Sequence, residues 1–180
     1  IERSMLYQRT AELAVTDDLT KLFNFRYLDQ TLDIEIKRCK EIGGSVSLIF
    51  LDMDHFKLVN DNYGHLMGSR VLIEIAQILI DSLRDIDIIS RYGGDEFVVV
   101  LPNTGAKTTY TTTKRIQNAI RRHLFLREEG LSIRLSASFG IATYPDHANS
   151  KLALIRLADQ AMYKVKNMSR DAILIAQPGG

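Results

Sequence analysis

The sequence predicts an α+β domain in which helices pack around a central, mostly antiparallel five-stranded sheet. Three observations predict it. Apolar residues at helical spacing alternate with short β-rich segments along the chain. One such segment, Ser45 to Leu51 (SVSLIFL), is almost wholly apolar, as suits a central strand covered on both faces. Two others flank Gly93-Gly94 and read as a tight hairpin, which makes that part of the sheet antiparallel.

Taken in order, residues 1–15 read as the end of a linker helix from an upstream regulatory domain, with Met5, Leu6, Leu13 and Ala14 as its apolar positions. Thr16-Asp17-Asp18 is a turn or cap signal. Phe25, Leu28, Leu32 and Ile36 recur at helical spacing, and that helix should stop at Gly43-Gly44. The Ser45–Leu51 strand ends in Asp52-Met53-Asp54. A helix from about Met67 to Leu83 carries Val71, Leu72, Ile75, Ile78 and Leu79 on one stripe. Strands at Asp87–Tyr92 and Phe97–Leu101 surround two glycines able to take positive φ. Pro102-Asn103-Thr104-Gly105 breaks the chain before a helix at Thr108–Leu126, whose threonine-rich start is a poor helix former. Ser132–Thr143 reads as a strand bent or ended near Gly140. A helix at Leu152–Lys166 turns Leu154, Ile155, Ala158, Ala161, Met162 and Val165 inward, and Ala172–Ala176 is a last strand. The order is βαββαβ with additions, one domain over residues 16–176, and residues 177–180 are a tail.

The 180 residues are 46% hydrophobic and 25% charged, enough for one domain with a real core. Basic and acidic residues, 23 against 22, leave a net charge of +1. No general attraction to nucleic acid or membrane follows, so a phosphate ligand must be held by a local cluster. The lone Cys39 excludes an internal disulfide and a cysteine zinc cage, and fits a reducing, cytoplasmic setting. No apolar run approaches the ~20 residues that span a bilayer. The opening Ile-Glu-Arg-Ser is no secretory start, and without an initiator Met the chain reads as a piece of a longer protein. HExxH, GxSxG and Walker A patterns are absent, which disfavours zinc hydrolases, serine hydrolases and P-loop enzymes. His123 and His147 read as surface residues with no special role.

Chemistry collects in two acidic clusters. Asp52 and Asp54 sit where the apolar strand runs out, and Asp95 and Glu96 follow Gly93-Gly94. If those segments are neighbours in the sheet, the carboxylates converge. Hard oxygens at a strand edge suit Mg²⁺, with substrate phosphate and water completing its shell. Taken alone, each pair reads first as an ordinary polar turn. Lys57, Asn60 and His65 follow the first cluster, and Lys166 and Arg170 lie four apart near the last helix's end. Carboxylates for metal and cations for phosphate are the parts of phosphoryl transfer. The plain alternative for Lys166 and Arg170 is a solvated basic helix end complementing the macrodipole.

Arg91-Tyr92-Gly93-Gly94-Asp95-Glu96-Phe97 resembles the signature of the GGDEF family of diguanylate cyclases. Asp18-Leu19-Thr20-Lys21-Leu22-Phe23-Asn24 is similar to the family's opening DxLTxLxN, and Asp52 to Asp61 to its DxDxFKxxND. Tyr63-Gly64-His65 matches YGH, and Ala158 to Lys166 matches ADxAxYxAK. Arg170 stands where the family's Gly-Arg pair ends, with Ser169 in place of Gly. The resemblance implies a palm-like βααββαβ domain. It implies the joining of two nucleoside triphosphates into a 3′–5′ cyclic dinucleotide with release of pyrophosphate, by a homodimer whose active sites face each other. It further implies Mg²⁺ (or Mn²⁺) on Asp52, the Met53 carbonyl and Asp95, and proton acceptance from the 3′-hydroxyl by Asp95 or Glu96. Lys57 would neutralise phosphate charge, and Lys166 and Arg170 would hold the triphosphate. Phe56, Asn60 and His65 would line the base and sugar side, and Gly93-Gly94 would let backbone approach the α-phosphate.

One departure bears on the substrate. Where the family usually has Asp after GHxxG, this chain has Ser69. A carboxylate there accepts from the guanine N1–H and amino group and repels adenine N1; such pairing can reject the wrong base by roughly 10⁴-fold. Serine both donates and accepts. The chain thereby resembles the hybrid promiscuous subset, which makes cyclic GMP–AMP beside cyclic di-GMP, so GTP and ATP are both expected substrates; the plain alternative is neutral drift, with guanine still read by Asn60 and water. Arg84-Asp85-Ile86-Asp87 resembles the family's inhibitory RxxD, which binds product through Arg84 and Asp87, with Arg115 on the next helix reaching the same ligand from a neighbouring domain; a plain charged loop is the other reading. The alternative to a cyclase is an inactive cyclic di-GMP receptor.

Overall fold

A computed structural model describes residues 15–178 of the chain. The linker helix expected over residues 1–15 falls almost wholly outside them, as do the last two residues of the expected tail. In chain order the described residues form β1 (Phe23–Asn24), α1 (Phe25–Ile42), β2 (Val46–Met53), α2 (Phe56–Tyr63), α3 (His65–Ser82), β3 (Ile88–Gly93), β4 (Glu96–Leu101), α4 (Ala106–Arg122), β5 (Ala137–Tyr144), α5 (Lys151–Met168) and β6 (Ile173–Ile175). The sheet is six-stranded in the order β1-β3-β4-β2-β5-β6. Its three inner pairings are antiparallel and its two edge pairings, β1 with β3 and β5 with β6, are parallel.

The expectation of five strands therefore needs correcting. The sixth is β1, too short to show an alternation; it forms because Asn24 caps α1, its side chain accepting from Tyr27 N at 3.1 Å, while the preceding residue lies along β3. The apolar segment is the central strand, buried along its whole length. Strand periodicity sorts its side chains. Ile49, Leu51 and Met53 join the core under α3 and α4, whereas Leu48 and Phe50 join the core under α1 and α5. Asp52 belongs to the second set by parity, and so does Glu96 beside Val98 and Val100 on β4.

Other boundaries moved for local reasons. Gly64, at φ +85°, separates α2 from α3, so the helix expected from Met67 begins at His65 and has a neighbour before it. The threonines of α4 are tolerated because they turn inward: Thr109 and Thr113 are buried and donate to the carbonyls of Gly105 and Thr109 at 2.9 and 2.8 Å. Gly140 does not bend its strand. It pairs with Phe50 in the ladder, and its missing Cβ admits α5, since a methyl there would overlap the Ala158 carbonyl and the Met162 amide. Among the described residues no helix is long and apolar enough to cross a membrane.

Candidate active site

The two acidic clusters meet because β2 and β4 are neighbours. Asp52 stands opposite Glu96 in the ladder, and Met53 N donates to the Asp95 carbonyl at 3.3 Å. A bulge after Arg91 and a two-residue turn between Gly93 and Glu96 make the hairpin tip. Of the two glycines only Gly94 uses positive φ, at +47°.

Asp52 is 4% exposed, and its Oδ1 accepts from Lys166 Nζ at 2.5 Å. Burial pushes its carboxyl up to about 6; the Lys166 bond works against that rise, and the charges of Asp95 and Glu96 add to it. Glu96 is also raised, first by burial and then by Asp159 and Asp95. Asp159 itself is raised by burial. Asp159 is a member of this cluster that pattern reading did not single out. It precedes Lys166 by seven positions, two turns along one face of α5, and that spacing is the signal that finds it.

The donor set fits a small divalent cation. Its oxygens are hard and come from neighbouring strand ends; Asp52 and Glu96 are raised first by burial and then by neighbouring carboxylate charge, with Lys166 as counter-charge. Among the described residues no three His, Cys, Asp or Glu side chains close into a complete cage. An ion held here would therefore need backbone, water and substrate phosphate to complete its ligands. Met53 turns its side chain into the opposite core, so it has only its backbone to offer.

Asp54 does not join Asp52. It is buried and accepts from Ser136 Oγ at 2.6 Å, Ser138 Oγ at 2.7 Å and Asp171 N at 2.9 Å. It thereby pins the turn after α5 that carries Arg170. Arg170 N donates to the Val165 carbonyl at 2.9 Å, and its side chain is exposed. The left-handed residues of this turn are Arg170 and Asp171, at φ +52° and +45°, while Ser169 is right-handed at φ −118°. Serine at 169 consequently puts no strain where the family has glycine.

Phe56 and Asn60 meet α3 at Gly68, the residue before Ser69. A Cβ on Gly68 would overlap Asn60 Oδ1 and press on the Phe56 ring, so glycine there lets those side chains sit against α3. His65 opens α3 and is exposed, as is Lys57 near the start of α2.

The sequence marks Asp17 as a turn or cap residue and Arg91 as part of the signature, but assigns neither to the site. Asp17, not Asp18, is the working acid of the opening motif. Its Oδ2 accepts from Thr20 N at 2.8 Å and Thr20 Oγ1 at 2.7 Å, and Arg91 Nη1 reaches both carboxylate oxygens. Burial alone would raise Asp17, but the Thr20 bonds and the Arg91 guanidinium outweigh it and hold it below the ordinary range. Arg91 Nε and Nη2 also donate to the Gly94 carbonyl, at 3.0 and 2.8 Å, tying the hairpin tip to that turn. Beside them lies an open cleft of about 590 Å³ lined by Asn24, Phe25, Arg26 and Tyr92 among others.

Away from this end, Arg84 closes on Asp87, donating Nη2 to Oδ1 at 2.7 Å and its backbone N to Oδ2 at 2.9 Å. Arg84 Nη2 also reaches Thr104 Oγ1, and Arg115 donates to the Ser82 carbonyl at 2.7 Å, so both arginines collect at the end of α3. The histidines read as idle have structural partners: His123 Nε2 lies 2.5 Å from Glu74 Oε2, and His147 Nδ1 accepts from Thr143 N at 3.0 Å.

The family profile described as "Diguanylate cyclase, GGDEF domain" matches residues 14–172. The chain belongs to the GGDEF family. Among curated relatives, this GGDEF domain is 37% identical over 164 residues to the response regulator PleD of Caulobacter vibrioides, covering 91% of the chain and 36% of PleD. It is 41% identical over 164 residues to the diguanylate cyclase DgcP of Pseudomonas aeruginosa, covering 91% of the chain and 24% of DgcP. The chain thus spans about a third or less of these relatives. Among solved structures, the coiled coil and GGDEF domain of DgcB from Caulobacter crescentus in complex with c-di-GMP superposes with a TM-score of 0.88 at 29% identity, covering 97% of this chain and 91% of that one. The isolated GGDEF domain of YfiN (TpbB) from Pseudomonas aeruginosa gives 0.86 at 32% identity, covering 90% and 94%. Dependence on a divalent metal goes generally with this family.

Proposed function

We propose that this domain condenses two nucleoside triphosphates into a 3′–5′ cyclic dinucleotide with release of pyrophosphate. The observation that carries the reading is the meeting of Asp52, Asp95 and Glu96 across β2 and β4 with Lys166 among them. Asp52, Asp95 and the Met53 carbonyl would hold Mg²⁺ or Mn²⁺, which when bound supplies Lewis-acid polarisation of a phosphoryl oxygen. Asp95 or Glu96 accepts the 3′-hydroxyl proton. Burial and the neighbouring carboxylates raise Glu96, which makes it a better proton acceptor than an ordinary glutamate. Lys57, Lys166 and Arg170 neutralise the triphosphate, and Gly93-Gly94 keeps side chains clear of the α-phosphate. One domain offers one such site, so the reaction needs two copies facing each other, and the gain is positional.

Phe56, Asn60, His65 and Ser69 form the base and sugar side of this reading. Ser69 at the α2–α3 junction supports acceptance of ATP beside GTP, and hence cyclic GMP–AMP beside cyclic di-GMP, as in the hybrid promiscuous subset. Arg84, Asp87 and Arg115 form the product-binding brake, and an upstream regulatory domain in the longer protein sets the pairing of copies. Triphosphate substrates and a lone thiol both fit the cytoplasm. An inactive cyclic di-GMP receptor is the second reading, which the cluster of Arg84 and Arg115 favours and the complete acidic set does not.

The test is incubation with equal ATP and GTP and Mg²⁺, followed by separation of products. Both cyclic di-GMP and cyclic GMP–AMP are expected, and Ser69→Asp should shift the products to cyclic di-GMP. Cyclic di-GMP alone from the native chain would remove the Ser69 argument. No pyrophosphate release would remove the cyclase reading.

A further inference from the structure

Lys166 and a divalent ion held by Asp52 would draw on the same carboxylate. The ammonium sits on Asp52 Oδ1 at 2.5 Å, while the lysine side chain is still about a third exposed, at 31%. Its contact with Asp52 is set from below: Gly140 lets α5 close on β5, and Asp52 lies on the α5 face by strand parity. A lysine arm is a flexible stem with three donors, well suited to leave one anion for another. Asp52 has no such freedom, being a strand residue in a full ladder.

We propose that Lys166 is a place-holding cation: it neutralises Asp52 before the divalent ion arrives, is displaced by it, and is thereby released to the triphosphate. The inference rests on the reading of Asp52 as a metal ligand. Two consequences follow. The ion must compete with an ammonium, so its affinity for the nucleotide-free domain is held down. Metal and triphosphate favour each other's binding, because displacement of the lysine supplies a cation for the phosphates.

The test titrates Mn²⁺ alone into nucleotide-free protein and counts free ion by electron paramagnetic resonance. Lys166→Met is expected to bind Mn²⁺ about tenfold or more tightly than the native chain, since a charge-assisted bond to a shielded carboxylate is removed. Lys166→Gln should do the same, which guards against a folding defect in either variant. Lys57→Met removes a cation outside the Asp52 pair and should change the affinity by no more than about twofold, as expected of an exposed charge. Unchanged or weaker binding in both Lys166 variants overturns the proposal, as does an equal gain in Lys57→Met, which would mean a diffuse field. Asp52→Asn separates the two failures. If it abolishes Mn²⁺ binding while the Lys166 variants gain nothing, the place-holder is wrong and the metal reading stands. If Mn²⁺ binding survives Asp52→Asn, the metal reading is wrong and the place-holder falls with it.

Discussion

Asp52→Asn is expected to stabilise the resting domain while removing the chemistry we assign to it. Asp52 is almost fully buried, and its carboxyl is pushed up to about 6 by burial, against the Lys166 bond and with the charges of Asp95 and Glu96. The usual aspartate value is near 3.9, so keeping this group charged at neutral pH costs about 3 kcal/mol. Solvent reaches the Lys166 side of the pair and screens it, which leaves about 1–2 kcal/mol. Each kcal/mol moves Tm by about 2–4 °C in a domain of this size, so the variant should melt about 2–8 °C higher. Because the folded value lies above the unfolded one, the proton stabilises the fold fully below about pH 3.9, and that stability is lost as pH rises through about 6. Asparagine keeps the neutral form at every pH. Its advantage should therefore be small near pH 4, grow toward pH 6 and stay level above pH 7. Thermal melts followed by circular dichroism in chelator across that range measure it. A lower Tm for the variant at neutral pH, or a gain that ignores pH, would refute the reasoning.

Gly140→Ala forces a methyl into the Ala158 carbonyl and Met162 amide, neither of which can move without shifting α5. It should cost about 1–3 kcal/mol in denaturant melts and weaken triphosphate binding by carrying Lys166 away; a neutral effect on both would deny the close approach. Asp54→Ala strands two serine hydroxyls and the Asp171 amide, for a loss of about 2–3 kcal/mol. Its Michaelis constant for nucleotide should rise more than kcat falls, since Asp54 holds the Arg170 turn and not the reacting atoms. Arg84→Ala should abolish binding of cyclic di-GMP outside the active site in a calorimetric titration. Retention of that binding would return Arg84 and Asp87 to the role of a plain turn.

The polarity pattern carried a large part of the fold because both periods in it are strong. The almost wholly apolar β2 could only be central, and the stripe on α3 could only face a core. What the pattern missed has a shared cause. β1 has no period to read, and its pairing comes from the neighbour it meets. Gly140 looked like a bend because a lone glycine in a strand is ambiguous; its purpose lies in α5, a helix that begins eleven positions later. The acidic pattern alone does not part Asp52 from Asp54, although the family resemblance assigns a role only to Asp52; in the fold one meets Lys166 and the other is consumed by Ser136, Ser138 and Asp171.

Family membership, the list of acids and cations, and the serine at 69 are properties of residue type and local order, and they are readable from the chain alone. Which acid faces which cation is not. Asp52 and Lys166 are 114 positions apart, and Asp17 and Arg91 are 74. Only strand register, the parity of β2 and the depth to which α5 sinks over Gly140 bring them within bonding distance. Those quantities depend on packing across the whole sheet, and no short stretch of sequence encodes them.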